Sequence, residues 1–188
     1  MSIEITIRLP DWIDAFAEWG RPYERMEDRM RLAIELSRQN TIRGTGGPFG
    51  AAIFEIESGA LVAAGVNLVV PQHNAVLHAE IVAFMVGGQR LGSFTFAGNG
   101  RPAHELVTSC DPCAMCLGAT LWSGVKRLVC GADREDAGAI HFDEGPVFPE
   151  SYAYLAERGI EIVRGVLREE AREVLSAYAR TRGTIYNG

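Results

Sequence analysis

The chain has 188 residues, four of them cysteine, and a formal net charge of −6 at neutral pH. That length fits one domain with a full core. The acidic balance, with no long run of Lys or Arg, argues against a surface that tracks phosphates along a nucleic acid. No apolar stretch reaches the roughly 18 residues of a membrane span. Residues 1–8 alternate instead of forming the apolar block of a signal peptide, and few cysteines suit a reducing compartment, so a cytoplasmic protein is expected.

Ile3, Ile5, Ile7 and Leu9 alternate with polar residues up to Pro10, which predicts an edge strand or arm within an N-terminal extension of about residues 1–20. Asp11 is placed to cap a short helix that Gly20 ends. Pro22 opens a longer helix to about Gln39, with Met26, Met30, Ala33, Ile34 and Ser37 on one stripe. The cluster from Gly44 to Gly50 lacks the Gly-Lys-Ser/Thr ending of a phosphate loop, so its glycines read as room for close backbone approach. Residues 51–56 and 60–68, joined at Glu57-Ser58-Gly59, predict an antiparallel hairpin. A helix from 78 to about 86 sets Ile81, Phe84 and Met85 on one face and weakens at Gly87-Gly88. Residues 105–109 read as a buried strand, 112–122 as a helix, and 126–131 and 160–163 as two further strands. The last helix, 168–180, stripes Ala171, Val174, Leu175 and Tyr178, and with the tail makes a C-terminal segment of about 168–188. Strands alternating with helices after a hairpin predict a single α/β domain over 1–188, a three-layer α/β/α sandwich around a mixed five-stranded sheet.

Two motifs carry chemistry: His78-Ala79-Glu80 and Pro112-Cys113-Ala114-Met115-Cys116. His78 offers an imidazole nitrogen, and Cys113 and Cys116 offer two thiolates, which the starts of their helices favour over thiols. Three protein ligands leave one tetrahedral position for water, as in catalytic zinc. Glu80 reaches that position without joining the metal shell. H-x-E…P-C-x-x-C is the pattern of zinc-dependent base deaminases, so one zinc per chain is expected. The alternative, a closed structural site of His78, Cys110, Cys113 and Cys116 or a redox pair, leaves Glu80 and Pro112 without a role. Cys130 reads as a small buried hydrophobe.

Asn67, at the end of the second strand, has the donor and acceptor to read a base edge. Its plainer reading is a turn asparagine bonded to its own backbone. Glu144 reads as an acceptor for ring N–H groups or a second proton shuttle, and otherwise as a solvated loop acid. Phe49, Trp122, Phe142 and His141 are candidates to sandwich a ring, or simply core. His73 and His104 read as surface or capping residues. Tyr186, in the tail, is a candidate lid over the pocket, against an ordinary mobile terminus.

The chain resembles the cytidine deaminase-like superfamily over residues 46–163. The blocks that carry the resemblance are Gly47-Pro48-Phe49-Gly50-Ala51, Gly65-Val66-Asn67, His78-Ala79-Glu80 and the run from Thr108 to Ala119. Within the superfamily, the run from Gly131 to Ala137 followed by Phe142-Asp143-Glu144 is similar to the bacterial guanine deaminases. These have a Gly-Phe-Asp-Asp stretch whose second acid contacts the base; Glu144 stands there, one methylene longer. Residues 71–77 depart from the Asp-Pro-Thr-Ala more usual before the histidine. The resemblance implies hydrolysis of guanine to xanthine and ammonia by a zinc-loaded homodimer. It implies catalytic roles for Glu80 and Glu144, with the substrate against Asn67, Ala79, Phe49, Phe142 and Glu144. Rivals of the same fold are tRNA adenosine deaminase and deaminases of cytosine or aminotriazines. A rival of another class is a zinc-bound binding module without turnover.

Overall fold

In the computed structural model, which describes residues 5–98 and 100–187, two β-rich runs around a three-residue turn pair as antiparallel strands. They are β1 (Gly50–Glu55) and β2 (Leu61–Val66), with Gly50 opposite Val66. The buried strand β3 (His104–Cys110) lies antiparallel on the other side of β1. β4 (Arg127–Ala132) runs parallel to β3, and the short β5 (Glu161–Val163) parallel to β4. The result is a mixed five-stranded sheet in the order β2-β1-β3-β4-β5.

Strand residues alternate between two apolar layers, because successive side chains point to opposite faces. Ala52, Phe54, Ala64, Val107 and Val129 pack with Met30, Ala33 and Leu36 of α2 (Met26–Ile42) and Ala171, Val174 and Leu175 of α7 (Arg168–Arg180). Ala51, Ile53, Ala63, Leu106 and Leu128 pack with Ala79 and Ala83 of α3 (Ala79–Leu91), Leu117 of α4 (Ala114–Ser123) and Leu155 of α6 (Pro149–Glu157). Each fully buried Leu, Ile or Phe contributes about 1.5–3 kcal/mol. Gly65 lets α3 settle onto β2: a Cβ there would collide with Ala79 O and lie 2.5 Å from Ala83 N. At the far end of the sheet, buried Glu105 takes Arg29 at 2.5 Å and Arg127 at 2.6 Å, so the buried carboxylate is paired on both oxygens.

Several expectations are corrected. Residues 5–9 form no strand, and Ile3 lies outside the described residues; Ile7 and Leu9 pack on the core without a ladder partner. The first helix, α1 (Trp12–Phe16), is shorter than expected, and Asp11 makes no side-chain cap. Pro22 does not open α2. It bridges to Ala60, and Tyr23 N–H donates to Gly59 O, which holds this stretch extended. α3 runs through Gly87-Gly88 to Leu91, because Gly87 packs under Phe96, whose ring lies 2.7 Å from where a Cβ would stand. Tertiary packing overrides the low glycine propensity there. Two unanticipated helices, α5 (Arg134–Gly138) and α6, follow β4; a reciprocal Asp133–Asp136 capping box starts the first and Pro149 the second. His104 is neither surface nor cap: it is buried, with Nδ1 3.0 Å from Phe96 O.

Candidate metal centre and its pocket

The topology gathers one edge of the sheet into a site. Phe49 precedes β1, Asn67 follows β2, Asp111 to Cys113 follow β3, and Glu144 comes from the loop beyond β4 and α5. His78 and Cys113 are the N-cap residues of α3 and α4, both extended, and their carbonyls accept the first helical bonds, from Val82 and Leu117. Glu80 and Cys116 fall in the first turns behind them. Both helix starts therefore aim their positive ends at the same point.

The ligand atoms of His78, Cys113 and Cys116 lie within 4.8 Å of one another, the one such cluster of three among the described residues. Cys113 Sγ is 3.4 Å from His78 Nδ1. The Cys113 thiol is lowered to about 4 by a hydrogen bond from Cys116 and by His78, so it is a thiolate at neutral pH. That bond to Cys113, together with burial, raises Cys116 well above the usual thiol range. Burial alone would lower His78, but Cys113 and Glu80 raise it on balance. One thiolate, one imidazole and a second cysteine sulfur that a bound metal would deprotonate are a soft donor set that fits zinc. Cys110 stands apart, its Sγ 3.6 Å from Asp133 O, and Cys130 is buried in β4.

Around the cluster, a cavity of about 10 Å³ is lined by Phe49, Asn67, His78, Glu80, Asp111, Cys113, Glu144 and Asn187. Glu80 is buried and takes a hydrogen bond from Thr108 Oγ1 at 3.3 Å; burial, then the charge of Cys113, raises its carboxyl. Glu144 is buried too, and burial with the charges on Cys113 and Glu80 pushes it up to about 8. Asn67 Oδ1 accepts from Val69 N–H at 3.3 Å, while its buried Nδ2 has no partner. An unpaired buried amide is costly, and it belongs to a residue that lines the pocket.

Some of the predicted residues stand back from the pocket. Phe142 is buried behind Phe49, edge to face at 5.0 Å, and buttresses it. Ala79 packs its methyl into the α3 layer. Trp122 is 77% exposed on the outside of α4, and His141 is exposed beyond α5; neither reaches the pocket. Two lining residues carried no expectation. Asp111, inside the Cys-Asp-Pro-Cys motif, is buried and held bidentately by Arg164, which stacks on Tyr152. Asn187 reaches in from the tail, bonded to Asp143 in both directions at 2.9 and 3.1 Å. Beside it Tyr186 packs edge to face against Phe142 at 5.0 Å, and its buried hydroxyl lacks a partner. That hydroxyl lies 2.6 Å from where a Cβ on Gly47 would be, so only glycine leaves room for the tail.

A model of the cytidine and deoxycytidylate deaminase zinc-binding region matches residues 23–132. The guanine deaminase of Bacillus subtilis is 33% identical over 143 residues, 76% of this chain and 87% of that protein. The tRNA-specific adenosine deaminase of Haemophilus influenzae is 32% identical over 156 residues, 83% and 84% of the two chains. A solved structure of guanine deaminase from Nitrosomonas europaea is 42% identical with a TM-score of 0.91, covering 96% of this chain and 98% of the other. Set beside the zinc-fitting cluster and its neighbouring glutamate, these matches make the chain a member of the cytidine and deoxycytidylate deaminase zinc-binding family.

Proposed function

We propose that the protein hydrolyses guanine to xanthine and ammonia, one water consumed per turnover. The observation that carries this reading is one pocket holding two buried carboxyls, Glu80 and Glu144, with the unpartnered amide of Asn67 beside the metal cluster. Buried carboxyls beside a metal site are the groups that carry protons to and from a reacting ring. The relatives named as guanine deaminases support the choice of ring.

His78, Cys113 and Cys116 would hold zinc, which when bound supplies Lewis acidity that makes water a nucleophile near neutral pH. Glu80 takes a proton from the attacking water and passes it to a ring nitrogen, then carries the proton of the newly added hydroxyl to the departing amine. The new C–O bond forms at the amino-bearing carbon, and the C–N bond breaks as ammonia leaves. Glu144 accepts N–H donors of the ring and holds a proton near the leaving group. Asn67 Nδ2 donates to a ring acceptor such as the guanine carbonyl. Phe49, braced by Phe142, supplies an apolar wall. Asn187 lines the pocket from the tail, and the Tyr186-Asn187 segment opens to admit the ring and closes again over it. Closure keeps bulk water from the reacting atoms.

We further propose that residues 1–188 act as one catalytic unit in the cytoplasm, in purine breakdown, as a homodimer. Four reduced cysteines support the compartment. No helix among the described residues is long and apolar enough to cross a membrane. Supporting the dimer, α4 carries no charged residue and shows Met115, Gly118, Ala119 and Trp122 on its outer stripe, beside Met85 of α3 and Phe94.

Ammonia release by the zinc-loaded protein from guanine, guanosine, adenine, cytosine, an aminotriazine and a tRNA anticodon stem-loop tests the reading. Guanine is expected to be turned over fastest. Faster release from the stem-loop, falling steeply with salt, would replace guanine with a tRNA adenosine.

A further inference from the structure

The unpartnered amide of Asn67 does not hold itself in place. Asn67 N–H donates to Phe49 O at 3.1 Å, and its carbonyl is taken by Asn40, a fully buried residue in the last turns of α2. Asn40 Nδ2 spends both hydrogens on loop carbonyls: Asn67 O at 2.9 Å and Gly47 O at 2.9 Å. Its Oδ1 accepts from Thr45 Oγ1 at 2.8 Å, and Thr45 Oγ1 in turn accepts from Trp12 Nε1–H at 3.2 Å. Asn40 O receives Thr45 N–H at 2.9 Å, so every polar atom of this side chain is used. Gly46 passes so close that a Cβ would collide with Asn67 O and lie 2.6 Å from Asn40 Nδ2.

We infer that Asn40 is a positioning residue for ring recognition, clamping the Gly47 and Asn67 backbones together and tying both to helix α1 through Thr45 and Trp12. The clamp explains why Asn67 can keep an unpartnered amide: its main chain is fixed on both sides, which leaves the side chain free to serve a ligand. It also gives a task to α1, which lies outside the residues that the family model matches. Only an amide side chain supplies two donors and one acceptor in so short a reach. Aspartate has the same shape but would set an oxygen against two carbonyl oxygens.

The inference rests on the deaminase reading above, and a kinetic double-mutant cycle separates the two. Zinc content and kcat/KM on guanine are measured for the wild type, Asn40→Asp, Asn67→Ala and the double variant. Asn40→Asp is expected to keep one zinc per chain and lose about 100-fold in kcat/KM, the usual scale for a slight misplacement of a binding group. In the Asn67→Ala background the same change is expected to cost no more than about two-fold, since the group it positions is already gone. Equal losses in both backgrounds, or no loss in the first, would overturn the inference. Should Asn40→Asp fail to fold, Trp12→Phe, which keeps the ring and removes the donor, carries the same cycle. A several-fold loss that vanishes with Asn67→Ala supports the clamp; an equal loss, or none, removes it. A wild type silent on guanine sinks the guanine reading alone. The cycle then runs on the ring that is turned over, and additivity there overturns the clamp by itself.

Discussion

Glu144 is where a single residue's chemistry is most exposed to test. Without metal its carboxyl is pushed up to about 8, first by burial and then by the charges on Cys113 and Glu80. An acid raised in the folded state is favoured in its neutral form. Its stabilising contribution is therefore full below the unfolded value of about 4.3 and is lost as pH rises through the folded value. In zinc-free protein, Glu144→Gln should gain Tm relative to wild type as pH is raised from about 5 to about 9. A gap that stays constant over that range would show that burial is not perturbing this carboxyl. The zinc set was legible in the sequence because its ligands sit at two helix starts with fixed local spacing. Asn187 was not, because it reaches the pocket only through the fold and so distant a contact leaves no periodic trace; Asp111 sits inside the motif, but spacing alone does not say that it lines the pocket. Trp122 and His141 show the opposite error, since nearness to a motif in sequence does not say which face of an element a side chain takes.

Among elements, α3 and the tail place the chemistry. α3 lies against β2 only because Gly65 lacks a Cβ. Gly65→Ala must push away the backbone that carries His78 and Glu80, and we expect a loss of about 1–3 kcal/mol in denaturant unfolding together with weaker zinc retention. An unchanged midpoint would mean the helix seat is more yielding than the geometry indicates. Removing residues 185–188 takes away Tyr186 and Asn187. We expect kcat/KM on guanine to fall at least about ten-fold, roughly 1.4 kcal/mol of barrier, with zinc content unchanged. A truncated enzyme with wild-type kcat/KM would reduce the tail to a bystander. Strands and long helices were readable from alternation and stripes. Their ends were not, because the Pro22–Ala60 bridge and the Gly87–Phe96 contact are decided by partners far along the chain. The loop beyond β4 hid two short helices whose local signals were the capping Asp133 and Pro149 at the first helical position.

At the scale of the whole molecule, α3 and α4, whose starts carry His78 and Cys113, share an apolar outer groove. Phe94, 99% exposed, and Trp122, 77% exposed, both line it. Protruding rings and grooves on the same face suit pairing of two copies about a two-fold axis. Trp122→Glu is expected to convert a dimer to a monomer in sedimentation velocity; a wild type already monomeric at micromolar concentration would rule out the proposed assembly. The mixed five-stranded sheet was readable from the hairpin start and the β-α-β succession, whereas the strand order β2-β1-β3-β4-β5 had no local signal. The central claim is zinc-dependent guanine hydrolysis with Glu80 as proton carrier. It is tested most directly by xanthine formation from guanine, comparing wild type with Glu80→Gln, each carrying one zinc per chain. Wild type is expected to turn guanine over, with a kcat lower by about 10²–10⁴-fold in the variant. Equal rates from the two proteins, or no xanthine from the wild type, would contradict it.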